Sequence, residues 1–217
     1  MPCIAVVDDG DDMRKTVVRM VKQQLNMQKK SDTWEVIDTE PLPRIEDYDS
    51  WINENEVSVL ILDERLHEKA EDAVDYAGHE VARYLRERFP DLPQFIITSI
   101  DNPDDLDANG GDLEAVLSRT TFNKAAATYV QRMLRIGQSF YDENEGRLSR
   151  LAQLSEKLVL EHLSEDEDAE LRALRQSFIL NAAPTGLDET LERADEILAE
   201  LRAVADEMKG LKGGKSP

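Results

Sequence analysis

The chain has 217 residues, and 46 acidic side chains against 26 Lys and Arg give a formal charge of −20. A hydrophobic fraction of 41% is enough for a real core and excludes wholesale disorder, while only 6% aromatics suits α/β or helical packing better than a sandwich of short strands. The lone cysteine, Cys3, excludes an intrachain disulfide or a cysteine zinc cage, and the absence of a long apolar run or a basic leader points to a soluble cytoplasmic protein.

Residues 1–141 alternate between strand-like and helix-like periods. Ile4–Val7 is a short buried strand ending in Asp8-Asp9, and Met13–Leu25 follows with helical spacing at Met13, Val17, Met20, Val21 and Leu25. Trp34–Thr39 predicts a second strand and Ile45–Asn55 a short helix after Pro41 and Pro43. Val57–Leu62 is an apolar strand that stops at Asp63. Val74–Phe89 is helical and ends at Pro90. Phe95–Ile97 is a strand stopping at Thr98-Ser99, and Asp104–Leu117 a weak helix containing Gly110-Gly111. Arg119–Asn123 predicts the last strand, followed by Lys124 and a helix from Ala125 to about Tyr141.

Five β/α units in this length imply right-handed crossovers and a five-stranded parallel sheet covered by helices on both faces. The remainder, 142–217, reads as an all-helical extension. Gly146–Leu163 carries a leucine stripe, and Ser164 with Glu167 fits a capping box. After Pro184-Thr185-Gly186, the residues Leu187, Leu191, Leu198, Leu201 and Met208 form a seam suited to a coiled coil or a helical hairpin. The tail 210–217 is expected to be mobile.

Ligands of open parallel sheets sit beyond the carboxyl ends of the strands, so the residues that end the strands carry the chemistry. Here these are Asp8, Asp9, Asp63, Thr98 and Lys124. Clustered carboxylates are pushed toward protonation unless a cation sits among them, and Mg²⁺ is a hard ion that takes carboxylates, waters and a phosphate. A carboxylate beside such a metal can act as a nucleophile and form an acyl phosphate. Lys124 then offers a point charge and Thr98 a hydroxyl donor for the phosphate. His67, His79 and His162 are too scattered for a metal site.

The stretches Val6-Val7-Asp8-Asp9 with Met13-Arg14, Val59-Leu60-Ile61-Leu62-Asp63, Ile96-Ile97-Thr98-Ser99 and Phe122-Asn123-Lys124 resemble the response-regulator receiver (CheY-like) domain across residues 2–141. The resemblance implies a flavodoxin-like fold and a Mg²⁺ cofactor. It implies Asp63 as phosphoacceptor. Asp9 and Asp63 would be direct metal ligands, Asp8 a ligand directly or through water, and the backbone carbonyl of Arg65 a further ligand. Thr98, Lys124 and the backbone N–H groups of Glu64 and Ser99 would contact the phosphoryl group. The donor would be a histidine kinase or a histidine phosphotransfer protein. Three departures stand out: Ala125 replaces the usual Pro, Thr121 replaces the usual aromatic with Phe122 one place later, and the loop 64–73 is long and charged.

The functional expectation is a two-component response regulator whose acidic helical extension acts through protein contacts, with a homodimer or a downstream protein as partner. Nucleic-acid binding is disfavoured because both parts of the chain are acidic and repel a phosphate backbone. The rival readings are a phosphate sink or phosphorylation-independent adaptor, and an Mg²⁺-dependent phosphohydrolase working through an aspartyl phosphate. The last would want an acid–base aspartate two residues after the nucleophile, where Arg65 stands.

Overall fold

A computed structural model describes residues 1–66, 74–99, 113–160 and 162–180. The described residues belong to two units, Met1–Glu143 and Asn144–Pro217.

In the first unit the strands are β1 (Cys3–Val7), β2 (Glu35–Thr39), β3 (Val57–Leu62), β4 (Gln94–Thr98) and β5 (Ala115–Ser118). They form one sheet in the order β2-β1-β3-β4-β5, with every pair parallel. This is the strand order of the flavodoxin-like doubly wound fold, which has a switch point between β1 and β3. The central strands β1 and β3 are buried along their whole length, as their near-continuous apolar runs, with Ser58 the one polar residue, require when both faces are covered.

Side chains alternate across the sheet with period two. Ile4, Val6, Val59, Ile61, Phe95 and Ile97 point to one face. There they meet Val17, Val18 and Val21 of α1 (Asp11–Met27) and Phe122, Val130 and Met133 of α4 (Arg119–Leu160). Ala5, Val7, Leu60, Leu62 and Ile96 point to the other, against Tyr48 and Ile52 of α2 (Asp47–Glu54) and Val81 and Leu85 of α3 (Gly78–Arg88). The latter two helices are also tied by a buried acid. Asp49 of α2 accepts hydrogen bonds from the Tyr84 hydroxyl at 2.8 Å and from Arg88 Nε at 3.0 Å, with the Arg88 guanidinium 3.8 Å over the Tyr84 ring.

The chain departs from the expected elements at its fifth unit. The last strand is Ala115–Ser118, not Arg119–Asn123, which is the helical start of α4. Phe122 explains the difference: on a helix it is fully buried in the core. Ala125 has non-helical backbone angles (φ −127°, ψ 27°) and breaks α4 after its opening turns. Most of the expected helix Asp104–Leu117 lies outside the described residues, and its described end is strand β5.

In the second unit, the last turns of α4 pair with α5 (Glu165–Leu180) around Leu154, Leu158 and Leu171. The capping box is present: Ser164 N–H donates to Glu167 Oε2 at 2.9 Å, and Glu167 N–H donates to Ser164 Oγ at 3.3 Å. Glu167 also accepts from Lys157 Nζ, which holds its carboxyl down at about 2. Arg150 clasps Glu170 through two nitrogens at 2.9 and 2.7 Å. So small a core depends on each leucine. Leu171→Ala is expected to cost about 2–5 kcal/mol and to reduce helical circular dichroism. The fluorescence of Trp34 and Trp51, both in the first unit, should stay unchanged. The seam Leu187, Leu191, Leu198, Leu201 and Met208 and the tail 210–217 lie outside the described residues.

Among the described residues, no helix is long and apolar enough to cross a membrane.

Candidate phosphoryl and metal site

Three acids meet where β1 and β3 end. The sheet ladder continues one bond past the strands: Asp63 N–H donates to Val7 carbonyl at 2.8 Å, and Asp8 N–H to Thr39 carbonyl at 3.4 Å. This register sets Asp63 beside the Asp8-Asp9 pair. One carboxylate oxygen from each of Asp8, Asp9 and Asp63 lies within 4.8 Å of the others.

The loop that carries Asp8 and Asp9 is fixed from several sides. Asp8 Oδ1 accepts the Gly10 N–H at 2.7 Å. Arg14, buried on α1, donates through Nη1 to the Asp8 carbonyl at 2.7 Å and through Nε to Asp38 at 3.0 Å, with Asp11 and Glu40 also in reach. One arginine thus ties the first acidic loop to the end of β2.

Behind Asp63 the backbone packs against α3. Gly78 N–H donates to the Glu64 carbonyl at 3.0 Å, and Gly78 has no room for a side chain against the Asp63 carbonyl. The Glu64 side chain is buried. It accepts from the His79 N–H at 3.1 Å and meets His79 Nδ1 at 2.5 Å, so it caps the start of α3. Glu64 therefore serves the helix with its side chain, while its backbone supports the Asp63 carboxylate with a hydrogen bond.

The cation of the site is Arg119, the first residue after β5. Its Nη2 donates to Asp8 Oδ2 and to Asp63 Oδ2, each at 2.9 Å. Thr98 and Ser118 are register partners at the ends of β4 and β5, so Arg119 leaves the sheet beside Thr98. Thr98 is fully buried there, and Ser99 follows it as an exposed bend. Lys124 is corrected as the strand-end cation. It lies six residues past β5, exposed on α4, because the strand on which that expectation rested is helical. Arg65 is an exposed residue two places beyond Asp63.

Burial dominates the electrostatics. It pushes the Asp63 carboxyl up to about 6; Arg119 opposes the rise and Asp8 adds to it. Burial also raises Asp8, against the Gly10 hydrogen bond and Arg119. Two buried polar atoms in the site have no hydrogen-bond partner, Asp63 Oδ1 and Arg119 Nε. Hard carboxylate oxygens with an orphaned acceptor among them fit a small divalent cation such as Mg²⁺.

Several solved structures resemble residues of the N-terminal part. One is a DNA-binding response regulator of the LuxR family from Staphylococcus aureus: 19% identity, 63% of this chain and 99% of that one, TM-score 0.45. Another is the response regulator TrrA from Thermotoga maritima in complex with Mg²⁺ and BeF: 20% identity, 61% and 99%, TM-score 0.43. A third is a response regulator receiver domain protein from Clostridium thermocellum: 17% identity, 62% and 95%, TM-score 0.43. No protein-family model and no curated protein matches the chain.

The first unit has the flavodoxin-like doubly wound fold. Within it, the sequence pattern located the acids but missed Arg119, Arg14 and Gly78 as parts of the site. The run Ala115-Val116-Leu117-Ser118 ending at an arginine was the available signal for Arg119, since a short apolar strand that stops at a charge marks a strand end.

Proposed function

We propose that the protein is a two-component response regulator that accepts a phosphoryl group on Asp63 with Mg²⁺ bound. The observation that carries this reading is the buried Asp63 carboxylate, set beside Asp8 and Asp9 at the sheet's carboxyl edge with Oδ1 unpartnered. Asp8, Asp9, Asp63 and the backbone carbonyl of Arg65 would hold the metal. When bound, Mg²⁺ neutralises charge on the transferring phosphoryl oxygens.

The chain's own residues do the rest. An Asp63 carboxylate oxygen attacks the phosphorus of a phosphohistidine on a kinase or phosphotransfer protein. The P–N bond breaks as the P–O bond forms, and the imidazole leaves with the bonding electron pair and takes up a proton. Thr98 and the backbone N–H groups of Glu64 and Ser99 would receive the phosphoryl oxygens. Water later attacks the acyl phosphate, releasing phosphate and restoring the carboxylate. The output passes through protein contacts of the acidic helical extension, to a second copy or a downstream protein, in keeping with its net negative charge.

The test is incubation with acetyl phosphate and Mg²⁺ followed by intact mass measurement. Wild type should gain one phosphoryl group, and Asp63→Asn should gain none. Equal labelling of both, or of neither, overturns the reading. Labelling with no change in self-association or partner binding would instead indicate a phosphate sink. The ion pair that Arg119 makes across Asp8 and Asp63 favours one rival, an adaptor that works unphosphorylated, and absent labelling of the folded protein would select it.

A further inference from the structure

The loop before α2 and the helix α3 enclose a cavity of about 450 Å³, within the size range of small-ligand sites. Its walls are held in place. Tyr76 donates its hydroxyl to the Leu42 carbonyl and lies 3.4 Å from the Tyr48 hydroxyl, which accepts the Leu42 N–H at 3.3 Å. Tyr84 donates its hydroxyl to Asp49 at 2.8 Å. Tyr76 and Tyr84 both line the cavity. Its charge is unbalanced: Glu46, Asp75, Glu80 and Glu87 stand against two arginines, Arg44 and Arg83. Arg44 is already clasped by Asp47, and Glu80 accepts the Ala77 N–H. Glu46, Asp75 and Glu87 are exposed, and their side chains make no hydrogen bond or ion pair among the described residues. Asp49, the fully buried acid that holds Tyr84, keeps Oδ1 without a hydrogen-bond partner. The wall therefore lacks donors and positive charge.

We propose that this cavity is a docking site for an arginine-bearing segment of a partner protein, whose guanidinium is taken by the unpaired carboxylates beside the tyrosine rings. The molecule already uses this chemistry once in the same wall: the Arg88 guanidinium lies 3.8 Å over the Tyr84 ring while its Nε donates to Asp49. A guanidinium is favoured over an ammonium because its planar fork serves carboxylates bidentately and its face stacks on an aromatic ring. The surplus of acids repels an anionic ligand, and so many charged groups on the walls disfavour an apolar one. The site is separate from the acidic cradle but shares α3 with it, since that helix starts at Gly78 against the Asp63 carbonyl.

The experiment follows the amide NMR shifts of the full chain while the peptide acetyl-Gly-Arg-Gly-amide is added, with a citrulline peptide as its uncharged counterpart. The arginine peptide should produce saturable shifts confined to residues 43–46, 75–76 and 80–87, and the citrulline peptide should not. Glu46→Gln combined with Glu87→Gln should weaken binding about ten-fold. Arg83→Gln should tighten it about two-fold by removing a like charge from the rim. Glu54→Gln with Glu145→Gln removes the same charge from exposed positions outside the cavity and should leave the affinity unchanged. Equal weakening by that outlying pair would mean unspecific attraction to a chain of charge −20, and it overturns the proposal. So does equal binding of the citrulline peptide, or the absence of saturable shifts at millimolar peptide. Reversed signs, with the acid variant tighter and Arg83→Gln weaker, would assign the cavity to an anion and overturn it as well. Every one of these readouts is independent of labelling at Asp63.

Discussion

Gly78→Ala is expected to destabilise the first unit by about 3 kcal/mol or more and to disturb the site as well. A Cβ at this position would lie 2.1 Å from the Asp63 carbonyl oxygen, 3.0 Å from its carbonyl carbon and 3.2 Å from Glu64 Cα. All three are backbone atoms, so no side chain can swing away to make room. Relief requires α3 to withdraw from the Asp63–Glu64 segment, and that strains the Gly78–Glu64 hydrogen bond and the Glu64–His79 cap. Denaturant unfolding should report the loss in stability. Phosphodonor labelling should fall in the same variant, because Asp63 sits on the segment that must move. Gly146→Ala is the matched control: it lies in α4 with nothing within 4 Å of the added carbon. Its expected effect is neutral or stabilising by up to about 1 kcal/mol.

Asp63→Asn is expected to raise the melting temperature in metal-free buffer at neutral pH, even though it removes the proposed phosphoacceptor. Burial lifts the folded-state pKa of Asp63 from 3.8 to about 6, so the native state holds this proton more tightly than the unfolded chain does. The resulting stability is fully present below the ordinary carboxylate pKa and is lost as pH rises from about 4 through about 6. Above that window the ionised acid costs about 3 kcal/mol, from roughly two units at 1.4 kcal/mol each. A neutral amide of the same shape avoids the cost, which corresponds to roughly 5–10 °C for a domain of this size. The gain should shrink toward zero when both proteins are melted near pH 4, and Mg²⁺ should stabilise wild type selectively. A variant less stable than wild type at pH 7.5 in chelator would show that Arg119 outweighs desolvation at this carboxylate.

Much of the architecture was legible because its signals are strong and local. Val57–Leu62 is an apolar run with a single Ser that ends on an acid, and Cys3–Val7 is a second apolar run ending on an acid, so the meeting of Asp63 with Asp8 and Asp9 followed from strand ends alone. The fifth strand was harder to read. Ala115–Ser118 is four residues long, too short for periodicity to speak clearly, whereas Thr120-Thr121-Phe122 has the β-branched and aromatic character of a strand. Packing decided otherwise by burying Phe122 from a helix. That local misreading moved the expected cation from Arg119 to Lys124. The capping role of the Glu64 side chain and the tight approach of Gly78 were illegible for another reason: both depend on α3 starting at Gly78, against Asp63, rather than at Val74. Such a close approach is set by tertiary packing and leaves no pattern in the neighbouring residues.

The break at Ala125 gives the opening turns of α4 some mechanical independence. Because the helical ladder is interrupted six residues after Arg119 and Arg119 is the first residue of its helix, a small shift of that residue can be absorbed within these opening turns. Val130 and Met133, anchored in the core just beyond the break, need not follow.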